Sequence, residues 1–213
     1  MKAPKIQREL VIQTALQLLN QEGLEGLTMR KLAQALHIQA PSLYWHFQNK
    51  QALIDGMADA LVAEVACNMD EAQPWQTQVQ HIAAELRHAL LQYRDGARVF
   101  AGTYVVTDNV LRTSEAMIAA LMKAGADAEL AATSSFSVTY YVLGLVMEEQ
   151  AVGPNGTLDL TARKQEFMAL SHDKYPHNWA ARETIFSDDF DTRFITGLDL
   201  LLTGIQHRLP PAV

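Results

Sequence analysis

The side chains best equipped for chemistry cluster between positions 28 and 50, in the run TMRKLAQALHIQAPSLYWHF and the residues just after it. Arg30, Tyr44, Trp45, His46 and Lys50 bring cations, hydrogen-bonding groups and aromatic planes into one short stretch, the side-chain kinds that meet phosphates and base edges. The sign of the charge agrees with that reading. Residues 1–50 hold six Lys and Arg against three Asp and Glu, a balance of +3, and the rest carries −10 of the overall −7. A basic segment can approach a polyanion while an acidic remainder keeps the chain off nonspecific DNA.

Other constellations offer less. His172, Asp173 and His177 fall in a loop-like stretch, but their spacing matches no standard metal-ligand pattern. Glu148 and Glu149, like Asp188 and Asp189, are adjacent residues, and neighbours on a helix diverge by about 100°, so neither pair converges on one substrate atom. There is no glycine-rich phosphate loop and no nucleophile elbow. Cys67 is the only cysteine, which rules out an intramolecular disulfide or a cysteine zinc site and suggests a packing role. The sequence reads as a non-enzyme that needs no cofactor or metal.

The elements that would position the 28–50 cluster are helices. Apolar residues recur at three- and four-residue spacing almost throughout, and no sustained alternation marks a strand ladder. Leu10, Ile12, Ala15, Leu16 and Leu19 predict a first helix face that stops at Gly23. Thr28 can cap a second helix that buries Leu32, Ala33 and Leu36, a third opens near Pro41, and Asn49 caps a long helix through Leu53, Ile54, Met57, Leu61 and Val65. Further helices are expected over 74–93, 107–124, 127–152 and 188–208. Gly153, Pro154, Asn155 and Gly156 form a loop, and the run to Ser187 reads as a mobile region with one helix over 161–170. No apolar stretch approaches the length of a bilayer span, and the opening Met1, Lys2, Ala3, Pro4, Lys5 lacks a signal peptide's apolar run, so a cytoplasmic protein is expected.

Residues 28–47 fit a helix-turn-helix, which needs one helix across a groove, a tight turn, and a second helix short enough to enter the major groove. Ala33 is small where the helices cross, and Ile38 and Leu43 fix their angle. The turn falls on His37, a position that favours glycine because its φ is positive, and histidine tolerates that region better than most residues. Ala40, Pro41, Ser42, Tyr44, Trp45 and His46 then face outward while Leu43 and Phe47 turn inward.

The stretch GLTMRKLAQALHIQAPSLYWHFQNKQALID resembles the DNA-binding domain of the TetR family, most specifically in LYWHFQNK. The resemblance implies that Arg30 reaches a base edge, that Thr28, Tyr44 and Lys50 bind phosphate, and that Pro41, Ser42, Trp45 and His46 approach bases or backbone. Where the tetracycline repressors place a polar base reader, this chain has Ala40, which offers only a methyl group, so its operator differs at that base. The resemblance implies an all-α fold of about ten helices, with a DNA-binding domain over 1–49 and a regulatory, dimerising domain over 50–213.

A fainter likeness to the tetracycline repressors runs through LLQYRDGARVFAGT and TYYVLGLVMEEQ. It implies that the helices at 127–152 and 188–208 pair with their symmetry mates through Phe136, Tyr140, Leu143, Val146, Leu198, Leu200, Leu201, Leu202 and Ile205, giving the two-fold that spaces two recognition helices for a palindrome. The drug site departs from the pattern. Three anchors, the magnesium-binding histidine, a histidine of the fourth helix and an asparagine of the fifth, align with Phe100, Ala66 and Ile82. Thr103 and Glu148 match, but a glutamate serving the metal through water has little purpose without the imidazole. The expected lining is Leu61, Ile82, Leu86, Phe100, Thr103, Tyr104, Met117, Ser135, Thr139 and Glu148, suited to an apolar or aromatic molecule with one or two polar groups, and not to magnesium tetracycline.

These expectations together describe a homodimer that binds operator DNA and is released by a small-molecule inducer. A repressor whose pocket has filled with side chains and needs no ligand is the first rival. A helical enzyme or transport-associated binding protein that kept the head is the second.

Overall fold

The computed structural model of the chain describes residues 7–154, 156 and 158–210, and among these every regular element is a helix, twelve in all. Met1, Lys2, Ala3, Pro4, Lys5 and Asn155 lie outside the described residues.

Helix α1 (Arg8–Gly26) buries Val11, Ile12, Ala15, Leu16 and Leu19. Leu10, expected on that face, is 48% exposed, because the buried stripe starts one residue later and Leu10 lies about 100° to its side. The expected stop at Gly23 is a kink: Gly23 takes φ 71° and ψ 174°, and helical structure resumes to Gly26. Helices α2 (Met29–Ala35) and α3 (Ala40–Leu43) complete a small head. Leu36 is half-buried rather than core.

Helix α4 (Lys50–Leu61) starts at the Asn49 cap, whose side chain accepts from the Ala52 amide at 2.9 Å. It was expected to run through Val65 and stops a turn earlier. The amides of Val62, Ala63 and Val65 bond only three residues back, and the chain reverses at Ala66 with φ 57°. Arg112 donates to the carbonyls of Val62, Ala63 and Val65, at 3.2, 2.6 and 3.1 Å, and the Ala66 amide donates to Glu85 at 2.8 Å. Tertiary partners thus hold a turn where the apolar periodicity continues. Cys67, just beyond, is exposed and donates to the Ala63 carbonyl, so it is not core packing.

Helices α5 (Trp75–Leu91), α6 (Gly96–Ala101), α7 (Asp108–Lys123) and α8 (Ala128–Val152) form the body, with α8 against α5, α6 and α7, and α12 (Phe190–Gln206) against α8. Helix α6 had no periodic signal of its own, being six residues long. Between α8 and α12 lie α9 (Leu160–Ser171) and two short helices, α10 (Pro176–Ala180) and α11 (Arg182–Ile185), tied together by the Phe167–Phe186 and His172–Trp179 ring contacts.

By length and composition α8 is apolar enough to cross a membrane, with a mean hydropathy of 1.4, which corrects the expectation that no stretch would be. Its Val138, Val142 and Val146 face the body while Phe136 and Tyr140 face outward; a helix apolar on all sides demands neighbours on all sides. Inside, the Tyr141 hydroxyl donates to the carbonyls of Arg193 and Phe194 at 2.6 and 3.1 Å. Arg87 of α5 ties the layers together, bonding Glu149 of α8 at 2.9 Å and Asp191 of α12 at 2.7 Å. Burial works to lower the Arg87 pKa, but the bonds to Asp191 and Glu149 outweigh it and hold it above its ordinary value.

The α8–α12 contact sets one stringent requirement. A Cβ at Gly197 would collide with the Tyr141 ring and hydroxyl. Gly197→Ala is therefore expected to lower unfolding free energy by about 1–3 kcal/mol, the range for overpacking, in urea denaturation. In a Tyr141→Ala background the same substitution should cost nearly nothing.

Candidate DNA interface and regulatory core

The head's outward face is built from the turn between α2 and α3. Thr28 caps α2 by accepting from the Lys31 amide at 3.2 Å. His37 takes φ 54°, the left-handed conformation the turn needs, and the Ile38 amide then returns to the Ala33 carbonyl at 3.0 Å. Pro41 sits in the first turn of α3, and after Leu43 the chain tightens, with His46 and Phe47 both donating to the Leu43 carbonyl at 2.9 Å. The recognition segment is therefore one short helical turn plus a tight turn.

Leu43 and Phe47 are buried at 0% and 2% exposure, with the Arg8 guanidinium 4.9 Å from the Phe47 ring centroid. The opposite face is open: Tyr44 is 51% and Trp45 89% exposed, and Thr28, Arg30, Pro41 and Ser42 are exposed with them. Ala40, His46 and Lys50 are half-buried, and the Lys50 ammonium lies 3.5 Å from the Leu24 carbonyl. An exposed tryptophan beside a tyrosine is costly in water and suits a surface that meets a partner. Lys31, unassigned by sequence reasoning, is ion-paired to Glu22 at 2.7 Å.

The head is fastened to the body by a seam that no sequence signal announced. Asp95, at φ 59°, accepts from the Leu24 amide at 2.8 Å just past the Gly23 kink. The Arg94 amide donates to Asn20 at 2.7 Å. Arg98 bridges Glu25 at 2.8 Å and Asp95 at 3.2 Å, and those two bonds, Glu25's first, raise its pKa. The pairs that cross the seam, Leu24–Asp95, Asn20–Arg94 and Glu25–Arg98, are more than seventy residues apart, beyond the reach of periodicity. An open cleft of about 840 Å³ lies beside the seam, lined by Leu24, Arg94, Asp95, Met147 and Gln150 among others.

The residues expected to line a ligand site divide. Leu61, Ile82, Leu86 and Met117 belong to one buried cluster at 5%, 0%, 1% and 1% exposure, with Phe100 packed against it. Ser135 is buried, and Thr103 and Thr139 are half-buried, the Thr103 hydroxyl donating to the Phe100 carbonyl at 2.8 Å. Tyr104 is 97% exposed and Glu148 also faces solvent, so this chain does not bring those two to the cluster. Among the described residues no three His, Cys, Asp or Glu side chains converge as metal ligands would.

Residues 11–57 match the family model described as bacterial regulatory proteins, tetR family, and residues 69–209 match that of the tetracyclin repressor-like C-terminal domain. The chain belongs to the TetR family. It is a DNA-binding transcriptional regulator and not an enzyme. The class C tetracycline repressor protein of Escherichia coli is 36% identical over 208 residues, covering 95% of this chain and 91% of that one. A possible TetR family transcriptional regulator from Streptomyces coelicolor A3(2) superposes with a TM-score of 0.85 at 40% identity, covering 94% of this chain and 99% of that one. The Streptomyces coelicolor TetR family protein ActR, in complex with (S)-DNPA, superposes with a TM-score of 0.86 at 28% identity, covering 98% of this chain and all of that one.

The left-handed His37 gives a local test. Replacing it with glycine removes the steric cost of positive φ while raising the entropy of the unfolded chain. His37→Gly should therefore stabilise the head by up to about 1 kcal/mol, measured as a rise in denaturation midpoint. Unchanged or reduced stability would mean that the histidine side chain makes a compensating contact.

Proposed function

We propose that this TetR-family regulator is a homodimeric repressor that binds a palindromic operator and is released by a small apolar or aromatic molecule other than magnesium tetracycline. The observation that carries the reading is the head's outward face, where Tyr44 and Trp45 stand exposed beside Arg30 and Ser42 on a turn held from below by Leu43 and Phe47. By this reading Arg30 reads a base edge. Thr28, Tyr44 and Lys50 hold phosphates, and Ala40, Pro41, Ser42, Trp45 and His46 approach bases or backbone. DNA as partner sets the cytoplasm as the place of action.

Support for the dimer comes from the outer side of α8 and α12. Phe136 and Tyr140 of α8 stack at 5.8 Å between ring centroids and stay 55% and 60% exposed, and Ile195 and Leu200 of α12 are 66% and 70% exposed. Gly144 and Gly204 have no atom within 4 Å of where a Cβ would sit, room for a second copy to approach closely. Leu143, Val146, Leu198, Leu202 and Ile205, also named for the interface, are buried within the single chain, and Leu201 is half-buried. Their part is to back the exposed stripe.

Release works through geometry. Two heads on successive major grooves need a separation near ~35 Å, and α4 joins each head to its body, so a ligand that tilts α4 changes that separation. It weakens operator binding by its differential affinity for the two arrangements and no more. The tetracycline anchors are replaced by Phe100, Ala66 and Ile82, the last two buried at 7% and 0% exposure. The relative ActR holds (S)-DNPA, which favours an organic inducer without such anchors.

One observation favours a ligand-independent repressor as the second reading. Ile82, Leu86 and Met117 are each exposed by 1% or less, so almost no water-accessible space touches them and a ligand there must displace packed side chains. A thermal shift panel of apolar and aromatic compounds separates the two: a raised melting temperature together with loss of operator binding supports release, and a silent panel supports the filled pocket.

Selection from a random duplex pool tests DNA recognition. The chain should enrich a short palindrome, and Tyr44→Ala should weaken binding to it at least about tenfold, the loss of roughly 1.4 kcal/mol. An enriched sequence that Tyr44→Ala binds equally well would overturn the assigned face. Leu200→Arg should yield monomers in sedimentation velocity, since it buries an unpaired charge at a two-fold contact.

A further inference from the structure

The end of α4 is held by side chains that neither the family pattern nor the apolar periodicity singled out. Arg112, on the second turn of α7, aims its whole guanidinium at the turn that follows α4. Its Nε donates to the Val65 carbonyl at 3.1 Å, and one terminal nitrogen donates to the carbonyls of Val62 and Ala63 at 3.2 and 2.6 Å. The other terminal nitrogen donates to Asn109 Oδ1 at 2.9 Å. The Asn109 amide in turn donates to Asp59 on α4, 3.1 Å to the carboxylate and 3.4 Å to the carbonyl. Five contacts therefore join the first two turns of α7 to the last turn of α4 and the turn that follows it.

Three features make this more than a helix cap. The three carbonyls held belong to the turn that follows α4, and a planar fork captures several at once in a fixed orientation, which a point charge cannot. Asp59 Oδ1 on α4 and Thr107 Oγ1 at the start of α7 are buried with no hydrogen-bond partner among the described residues, a polar cost that these two elements carry. Finally, Thr107 and Asn109 follow directly on the 102–106 loop that leaves α6, where Phe100 and Thr103 lie. Helix α6 packs directly on α4, and the 102–106 loop joins it to the clamp as well.

We propose that Arg112 is a positioning residue: with Asn109 and Asp59 it forms the clamp about which α4 pivots, and it thereby sets the angle of the DNA-binding head on the body. The inference rests on the regulator reading for its biological meaning, but the head angle can be measured without DNA or ligand.

The test uses the full chain carrying Cys67→Ser, spin-labelled at Gln34→Cys on the head and Gln80→Cys on α5, both exposed positions, and diluted with unlabelled protein so that only distances within one chain register. Pulsed dipolar spectroscopy should give one narrow head-to-body distance for the wild-type clamp. Arg112→Ala should broaden or displace it, and Arg112→Lys, which keeps the charge and loses the fork, should restore it only in part. In operator binding Arg112→Ala should lose about tenfold or more at a temperature where circular dichroism shows it folded. If Arg112→Ala does not fold, Asn109→Ala and Arg112→Lys decide by the same distance readout. A folded Arg112→Ala, or that substitute pair, with the wild-type distance and width would overturn the proposal even if its melting temperature falls, because a merely structural cap lowers stability and leaves the angle alone. A wild-type chain that selects no DNA would instead overturn the regulator reading and leave the distance result standing.

Discussion

Gly56 of α4 lies against Phe47 and Ile12 of the head, where an added Cβ would come within 3.1 and 3.3 Å of their side chains. Asp59, three residues on, is bonded to Asn109 of the body. One twelve-residue helix thus takes part in two packed structures at once, and a rigid helix cannot satisfy both if they rotate relative to each other. That constraint makes the head's orientation a property of the body's packing. The seam at Asp95 and Arg98 adds a second point of attachment, at the end of α1. Two attachments define an angle, whereas one would leave a swivel.

The body is organised to transmit strain. Protein interiors are close-packed, so small shifts are passed on as discrete rearrangements and are not absorbed locally. Arg87 links α5, α8 and α12 through charge-assisted bonds, and Tyr141 fits the gap left by Gly197. Among the described residues, Phe136 and Tyr140 of α8 and Ile195 and Leu200 of α12 are left exposed. A helix of that composition is uncomfortable in water, and a second copy offers the same stripe in return.

Much of this was legible in the sequence because the helices carry their own punctuation. Asn49 caps as expected, and α8 and α12 fall within two residues of the ranges set by the breakers around them. The positive φ of His37 followed from where the turn had to fall. What escaped detection depends on contacts distant in sequence. Helix α4 gives way early to a turn whose carbonyls are held by Arg112, about fifty residues away. Helices α10 and α11 are too short to show a period. On α8, whose apolar residues are spread around the helix, no pattern could tell the inward Val142 from the outward Tyr140. The outward residues of the head were nameable from the helix-turn-helix geometry, whereas the exposure of Tyr104 and Glu148 depends on how the loop after α6 and the end of α8 are turned.

The central claim is that two copies of this chain, each with a head fixed in angle by α4, engage one duplex together. Sedimentation of the protein with a duplex carrying its selected palindrome, read alongside hydroxyl-radical footprinting, tests it most directly. The account predicts two chains per duplex and two protected patches about one helical turn apart on the same face, with binding lost when half a turn is inserted between the half-sites. One chain per duplex, or protection indifferent to the inserted half-turn, would contradict it.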